Sequence, residues 1–501
     1  MAAVRINRLK KFFLNTSAFR LTYIFTLFLC SVVVIEPAAV AAKYVWMLWA
    51  GYIFYFYYLK NRRVLQVQYC RWLLLFLAST FITALIHVTD NFWGNMLMLA
   101  HVAICFFIFY GMHTEKNKKR VRLELFWFCK IMVVATTLLA VVGIPFVLFN
   151  LYGEFMGYSL IVFENRFTGL YTNPNLLGFS CVVAIVCCHM LTRKKFLKSI
   201  HKRPQSKTLL ILCLVCNLLS LFLSDSNSSL ILLAFYVIFL ACYKIFKWQQ
   251  TLSFKQAAAK MGKMFLACVG IVLILFASRE VFQLGASGIT TLTTSQLAAI
   301  DQKVLPEQIQ DKQPVSFTHL NENIDSGRIR LFTESAILIG NYPLFGIGKA
   351  NLVPYGERYI EGGLHFSDLH NGYLTILVCA GIVGFVIFVS FALHVARHIV
   401  KSLFLEKKDL KQTVFPALFA FICAYCAYAI LEKTLLYEQT FMVVVFWLFL
   451  GYASCYMLKY DHLEQKIVLD LFGRKESAQA DLFDIPTEEE NAEEEEPEDR
   501  L

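Results

Sequence analysis

The sequence predicts an all-α polytopic membrane protein with about twelve transmembrane helices, and three observations carry that prediction. First, 58% of the residues are hydrophobic and only 17% are charged. Ordinary soluble domains run about 45–50% apolar and about 25% charged. Second, apolar runs close to the ~20 residues that a span requires recur at 18–36, 41–59, 71–88, 93–112, 126–150, 174–192, 208–223, 228–246, 262–278, 371–396, 413–432 and 435–458. Third, lysine and arginine collect in alternate connections between these runs. Together they exclude a soluble globular enzyme, a disordered chain and a secreted disulfide scaffold.

Along the chain, the N-terminal arm carries Arg5, Arg8, Lys10, Lys11 and Arg20. Basic groups return at 60–71, 116–122, 193–207, 244–263 and 397–411. The intervening loops are nearly free of them, apart from the long segment 279–370. By the positive-inside rule, both termini are cytoplasmic. A basic arm, an apolar run and Ala39-Val40-Ala41 have the order of a cleaved signal peptide. The run exceeds the usual h-region of about 7–15 residues, so it is read as the first span. The fifteen cysteines show neither zinc spacing nor a redox motif, and no disulfide or metal site is expected. The membrane domain is therefore placed at 1–458. It includes an outer-face loop at 279–370 with short helices before span ten, since a structureless loop of that length is uncommon. Residues 459–501 hold 5 basic and 15 acidic residues, and read as a disordered acidic cytoplasmic tail. The formal charge of +11 thus averages a tail of −10 and a remainder of +21. The basic loops set topology, and no nucleic-acid partner is expected.

Polar chemistry gathers in four clusters on the outer side. Residues 164–175 contain Arg166, nearly alone among residues 131–192 in carrying positive charge, and Asn173-Pro174-Asn175. Asn173 reads as a helix N-cap with Pro174 at the first helical position. Arg166 is a candidate anion ligand. Residues 223–229 are a serine-rich turn between two spans. In the third cluster, Asp325-Ser326-Gly327-Arg328-Ile329-Arg330 opens a helix with apolar residues at helical spacing, expected to lie along the membrane surface. Arg328 and Arg330 in a first turn oppose the helix dipole, and a phosphate there would restore the balance. Pro343 to Gly348 follow. The fourth cluster, Asp368-Leu369-His370-Asn371, opens the tenth span. Gly381 and Gly384 on one face of that span allow close helix packing.

The set resembles the O-antigen ligase and polysaccharide polymerase superfamily of bacterial membrane glycosyltransferases, over roughly residues 160–400. The carrying motifs are His-Asn-x9-Gly-x2-Gly at His370, Asn371, Gly381 and Gly384, Arg-x-x-Gly-x-x-x-Asn-Pro-Asn at 166–175, and Ser-Gly-Arg followed by Pro-Leu-Phe-Gly-Ile-Gly. One departure stands out. The family often has Ser-Arg where this chain has Ser226-Asn227, and Arg166 or Arg330 is expected to take over that charge.

The resemblance implies transfer of a glycan from a polyprenyl diphosphate to an acceptor hydroxyl at the outer face, with neither metal nor cofactor. The implied partners are a lipid-linked oligosaccharide donor, a glycan or glycolipid acceptor and membrane lipid. Arg328 is the first choice for stabilising the leaving diphosphate, with Arg166 and Arg330 assisting. His370 is the expected base or acceptor-orienting residue, with Asn371, Asn175, Gly381 and Gly384 in support. A repeat-unit polymerase or protein O-glycosyltransferase would share these motifs. A polysaccharide transporter or lipid-glycan flippase would need ionisable groups along its spans, and the spans hold few. A membrane scaffold would depend on the acidic tail.

Overall fold

The computed structural model describes residues 12–245, 254–299, 313–317, 328–404 and 413–457. The far N-terminal arm and the acidic tail expected at 459–501 lie outside them. The described helices are α1 (Thr16–Leu29), α2 (Glu36–Ile53), α3 (Cys70–Ile86), α4 (Phe92–Ala103), α5 (Lys118–Leu148), α6 (Pro174–Leu191), α7 (Lys194–Lys198), α8 (Lys207–Leu223), α9 (Asn227–Ile245), α10 (Phe254–Ala299), α11 (Arg328–Asn341), α12 (Leu352–Tyr359), α13 (Gly372–Phe404), α14 (Phe415–Tyr428) and α15 (Phe441–Ser454). Each of the twelve apolar runs is helical through its centre. Among the described residues, six stretches are long and apolar enough to cross a membrane: Phe92–Thr114, Lys118–Leu148, Pro174–Leu191, Asn227–Ile245, Ala258–Gln296 and Gly372–Leu403. Helices α1, α3, α8, α14 and α15 are apolar but shorter. The protein is a multi-pass helical membrane protein.

The all-α expectation needs one correction. Residues between α5 and α6 form a three-stranded antiparallel sheet, β1 (Gly153–Phe155), β2 (Tyr158–Phe163) and β3 (Arg166–Gly169). Its two turns place Met156-Gly157 and Glu164-Asn165 at positive φ, as two-residue hairpins of the I′ kind require. A Val32–Tyr171 bridge ties the segment after α1 to the chain entering α6. Arg166 therefore starts from a braced strand.

Arg20 is also corrected. Counted above with the basic arm, it lies inside α1 and is fully buried. Its guanidinium pairs with Glu115 (2.6 Å) and Glu124 (2.7 Å), and Tyr452 donates to Glu124 (3.0 Å). A cation removed from water needs such partners, so this charge joins α1, α5 and α15.

The long loop begins later than expected. The run at 262–278 continues as one helix to Ala299, because no proline interrupts it. Residues 313–317 fold back on its far end, where Thr290 donates to the Val315 carbonyl (2.8 Å) and the Phe317 N–H to Ser287 (3.0 Å). Next, α11 and α12 pack over a small apolar core that includes Leu338, Ile347, Leu352, Leu369 and Val378. On α11, Leu331 and Leu338 face inward while Phe332 and Ile337 are exposed, leaving an apolar stripe outward.

The roles of Gly381 and the segment Pro343–Gly348 emerge together. Helix α13 is broken at Gly381, where φ is 66° and ψ is −176°. That backbone is open essentially to glycine alone. The break orphans backbone groups, and the 343–348 segment pairs with them. Ile347 and Gly348 N–H groups donate to the carbonyls of Val378 (3.1 Å) and Cys379 (2.9 Å). Ile382 and Val383 donate to the carbonyls of Pro343 (2.8 Å) and Leu344 (3.1 Å). At Gly381, close approach is thus used by a loop backbone, while Gly384 faces α3, with Ser79 3.4 Å and Phe76 3.7 Å from where a Cβ would lie. A Cβ at 381 would lie 2.3 Å from the Leu344 carbonyl oxygen. Gly381→Ala should lose at least about 1–3 kcal/mol from conformation alone, with the displaced segment adding to that. Thermal unfolding in detergent checks it against Gly285→Ala, whose Cβ meets nothing within 4 Å. Equal stability of the two variants would contradict the docking described here.

Candidate functional site

Three connections meet at one end of the helix bundle: the loop before α13, the link between α14 and α15, and the turn between α8 and α9. Each is held by backbone. The Gly372 N–H donates to the Ala429 carbonyl (2.7 Å), which brings the α14–α15 link to the start of α13. The serine turn sits tight against α6, where a Cβ on Gly178 would come within 3.0 Å of Ser226 and Ser229 atoms.

His370 occupies the centre. Its φ of 42° is uncommon for a non-glycine residue and is fixed by Asp368, whose carboxylate accepts the His370 N–H (2.9 Å). Asn371, not His370, caps α13, accepting from Tyr373 (2.9 Å) and Leu374 (3.0 Å). The imidazole is half-buried between two carboxylates. Nδ1 lies 3.9 Å from Glu432 and Nε2 lies 3.5 Å from Asp368. Glu432 first, then Asp368, raises the His370 pKa above its ordinary value, against the effect of burial. Burial pushes the Asp368 carboxyl up, but Lys433 and His370 outweigh it and hold the group below the usual range. Phe366, exposed, stands edge-on to the imidazole at 5.0 Å.

A polar chain runs from Glu432 to Arg166. Glu432 accepts from Ser228 (2.9 Å) and from the Asn175 amide (3.4 Å). The Asn175 oxygen accepts from Arg166 (2.8 Å), whose Nε donates to the Ser224 carbonyl (3.0 Å). Burial lowers the Arg166 pKa. Asn173 caps α6 by accepting from the Asn175 N–H (2.7 Å), which presents the Asn175 side chain to the site. On the other side, Lys433 pairs with Asp368 and lies 3.7 Å from Glu438. Glu438 also pairs with Lys349 (2.8 Å), carried on the turn after Gly348. Burial acts to lower the Lys349 pKa, but Glu438 and other nearby groups raise it overall.

Arg279, just beyond the expected end of its span, reaches the same region. Its guanidinium donates to Asn227 (2.5 Å) and lies 3.3 Å from Asp225. Among the described residues, Arg166, Arg279, Lys349 and Lys433 lie near Asp225, Asp368, Glu432 and Glu438, with the exposed Glu280 also paired to Arg279. Nothing in the local sequence marks Glu432, Lys433 or Arg279 as site residues. Glu438 was legible only as a polar residue near a span end.

The other candidates fall differently. Arg330 is about half exposed and pairs with Glu334 (2.9 Å). Glu334 is buried and also accepts the His365 N–H (3.1 Å). Arg330 thus braces the loop that carries His370, and its charge is engaged there rather than at Asn227. Arg328 is the first residue of α11, and its side chain lies outside the described residues, as do Asp325 and Ser326. Gly381 is the break in α13 itself, and Gly384 follows it on the stretch that packs against Ser79 and Phe76.

The geometry joins a histidine poised between carboxylates to a half-buried guanidinium and three further cations, an arrangement suited to an anionic leaving group and a proton transfer. No curated protein matches the chain. A family model described as O-antigen ligase matches residues 212–389. That stretch includes the serine turn, Arg279, the docked 343–348 segment, His370 and the glycine break. Over that stretch, the chain is similar to the O-antigen ligase family.

Proposed function

We propose that the protein transfers or polymerises a glycan from a polyprenyl diphosphate onto an acceptor hydroxyl. The observation that carries this reading is the contact chain from His370 through Glu432 and Asn175 to Arg166. It links a titratable base to a half-buried guanidinium. The acceptor oxygen attacks C1 of the donor sugar and gives its proton to His370. The bond from C1 to the diphosphate oxygen breaks, and the electron pair leaves with the lipid diphosphate. Charge develops on that group, and preorganised cations stabilise it more strongly than water does. Arg166 is assigned to that charge. Arg328 keeps the same role on its position alone, at the start of α11. Arg330 acts indirectly, through Glu334 and the loop.

We assign Glu432 and Asp368 to orienting His370 and making it more basic, as carboxylates do for catalytic histidines. The basic connections argue for an orientation with both termini cytoplasmic and this site at the outer face. The donor is then reached from the outer leaflet.

The test is transfer by purified protein in sealed vesicles, from a defined polyprenyl-diphosphate oligosaccharide to glycolipid acceptors added outside. Wild type should form a new glycosidic bond and release lipid diphosphate. His370→Ala should lower kcat by about 10²–10⁴-fold. Near-normal rates for that variant would defeat the assignment, and movement of the lipid-linked glycan across the membrane without a new bond would favour a flippase.

The pH dependence follows from the direction of the His370 shift. A base must be neutral to accept a proton, so kcat/KM should rise with pH through an apparent pKa above about 6.5. Glu432→Gln removes the carboxylate that raises this value, so the limb should move to lower pH while the plateau falls. A pH–rate profile of both proteins checks this, and an unmoved limb would show that Glu432 does not act on His370.

A further inference from the structure

Arg279 lies in a part of the sequence that reads as the first residue of a long loop. The structure places it instead inside α10, one helix carried through to Ala299. Its side chain is about 14% exposed, and its guanidinium stacks over Phe276 at 5.1 Å. A cation set midway along a long apolar helix is costly unless matched, and such residues commonly mark a ligand path. The match here is incomplete. The terminal nitrogens reach Asn227, Asp225 and the exposed Glu280. The Nε N–H is buried and has no hydrogen-bond partner among the described residues. A buried donor left unpaired is unfavourable, and an additional oxygen would satisfy it.

The position of this guanidinium matters more than its burial. The turn Ser224–Asn227 separates two arginines. Arg166 holds the Ser224 carbonyl from one side (3.0 Å), and Arg279 holds Asn227 and Asp225 from the other. Asp225 has a second partner, the Gln283 amide (3.1 Å). It therefore stays hydrogen-bonded if Arg279 turns to another anion. With Glu280 counted, five carboxylates stand near the four cations Arg166, Arg279, Lys349 and Lys433, so a diphosphate needs each cation there, Arg279 included.

We infer that Arg279 is a diphosphate-binding residue of the donor site, acting with Arg166 across the 224–227 turn. A planar guanidinium pairs two phosphate oxygens at once, which suits a group bridging two phosphates better than a lysine would. The inference rests on the donor class proposed above and adds a residue to it.

The test measures binding rather than turnover. Affinities for farnesyl diphosphate and for uncharged farnesol are determined on the full-length protein in nanodiscs. The variants are Arg279→Gln, Arg279→Lys and the double variant Asn227→Arg with Arg279→Gln. Arg279→Gln should weaken farnesyl diphosphate binding about tenfold or more, as loss of a charge-assisted contact does, with farnesol unchanged. Arg279→Lys should fall between the two. The double variant, which returns a guanidinium to the turn, should recover much of the loss. Wild-type affinity in Arg279→Gln, or an equal loss of both ligands, would overturn the inference alone. A wild type that binds the diphosphate no better than farnesol would overturn the donor class and this inference with it.

Discussion

Four backbone hydrogen bonds across a broken helix hold the polar end of this protein together. Gly381 stops α13 in mid-course, and the 343–348 segment pairs with the groups the break exposes. Unpaired backbone groups are expensive wherever water is excluded. The break and the segment are therefore one unit, and neither is stable without the other. That unit sets the height of Lys349 on one side and the start of α13, with His370 and Asn371, on the other. The apolar core under α11 and α12 then packs against it.

Built on that frame, the site is an electrostatic arrangement more than a set of individual residues. Glu432 accepts from two helices, through Ser228 on α9 and Asn175 on α6, while facing an imidazole on a third element. Each carboxylate has a cation or a titratable group beside it, so no charge is buried alone. Breaking such a network by removing one partner is costly because the others are left unmatched. On the proposed reading, an incoming diphosphate would shift that balance, with Arg166 and Arg279 as its proposed partners.

The helices were legible because apolar runs of span length have few other uses. Asn173 as a cap and Pro174 at the first helical position were legible for the same local reason. The sheet at 153–169 was missed because its strands are short and its turn signals lie between two long apolar runs. Gly381 read as a packing glycine, since its positive φ depends on a partner segment more than thirty residues away. Arg20 read as a loop charge, because its two glutamates are distant in sequence. Glu432 shows the limit most clearly. It reads as the polar end of one span and becomes part of a site only through contacts with residues some 200 and 257 positions earlier. Arg330 was legible as a notable charge, but Glu334, one turn further along the helix, takes it.

The most direct test of the central claim is a cryo-EM map of the protein in nanodiscs with a polyprenyl diphosphate bound. The account predicts phosphate density within hydrogen-bonding distance of Arg166 and beside the His370 imidazole, at the end of the bundle that carries the Gly381 break. Phosphate density against the basic connections at the opposite end, with the His370 site unchanged, would contradict it.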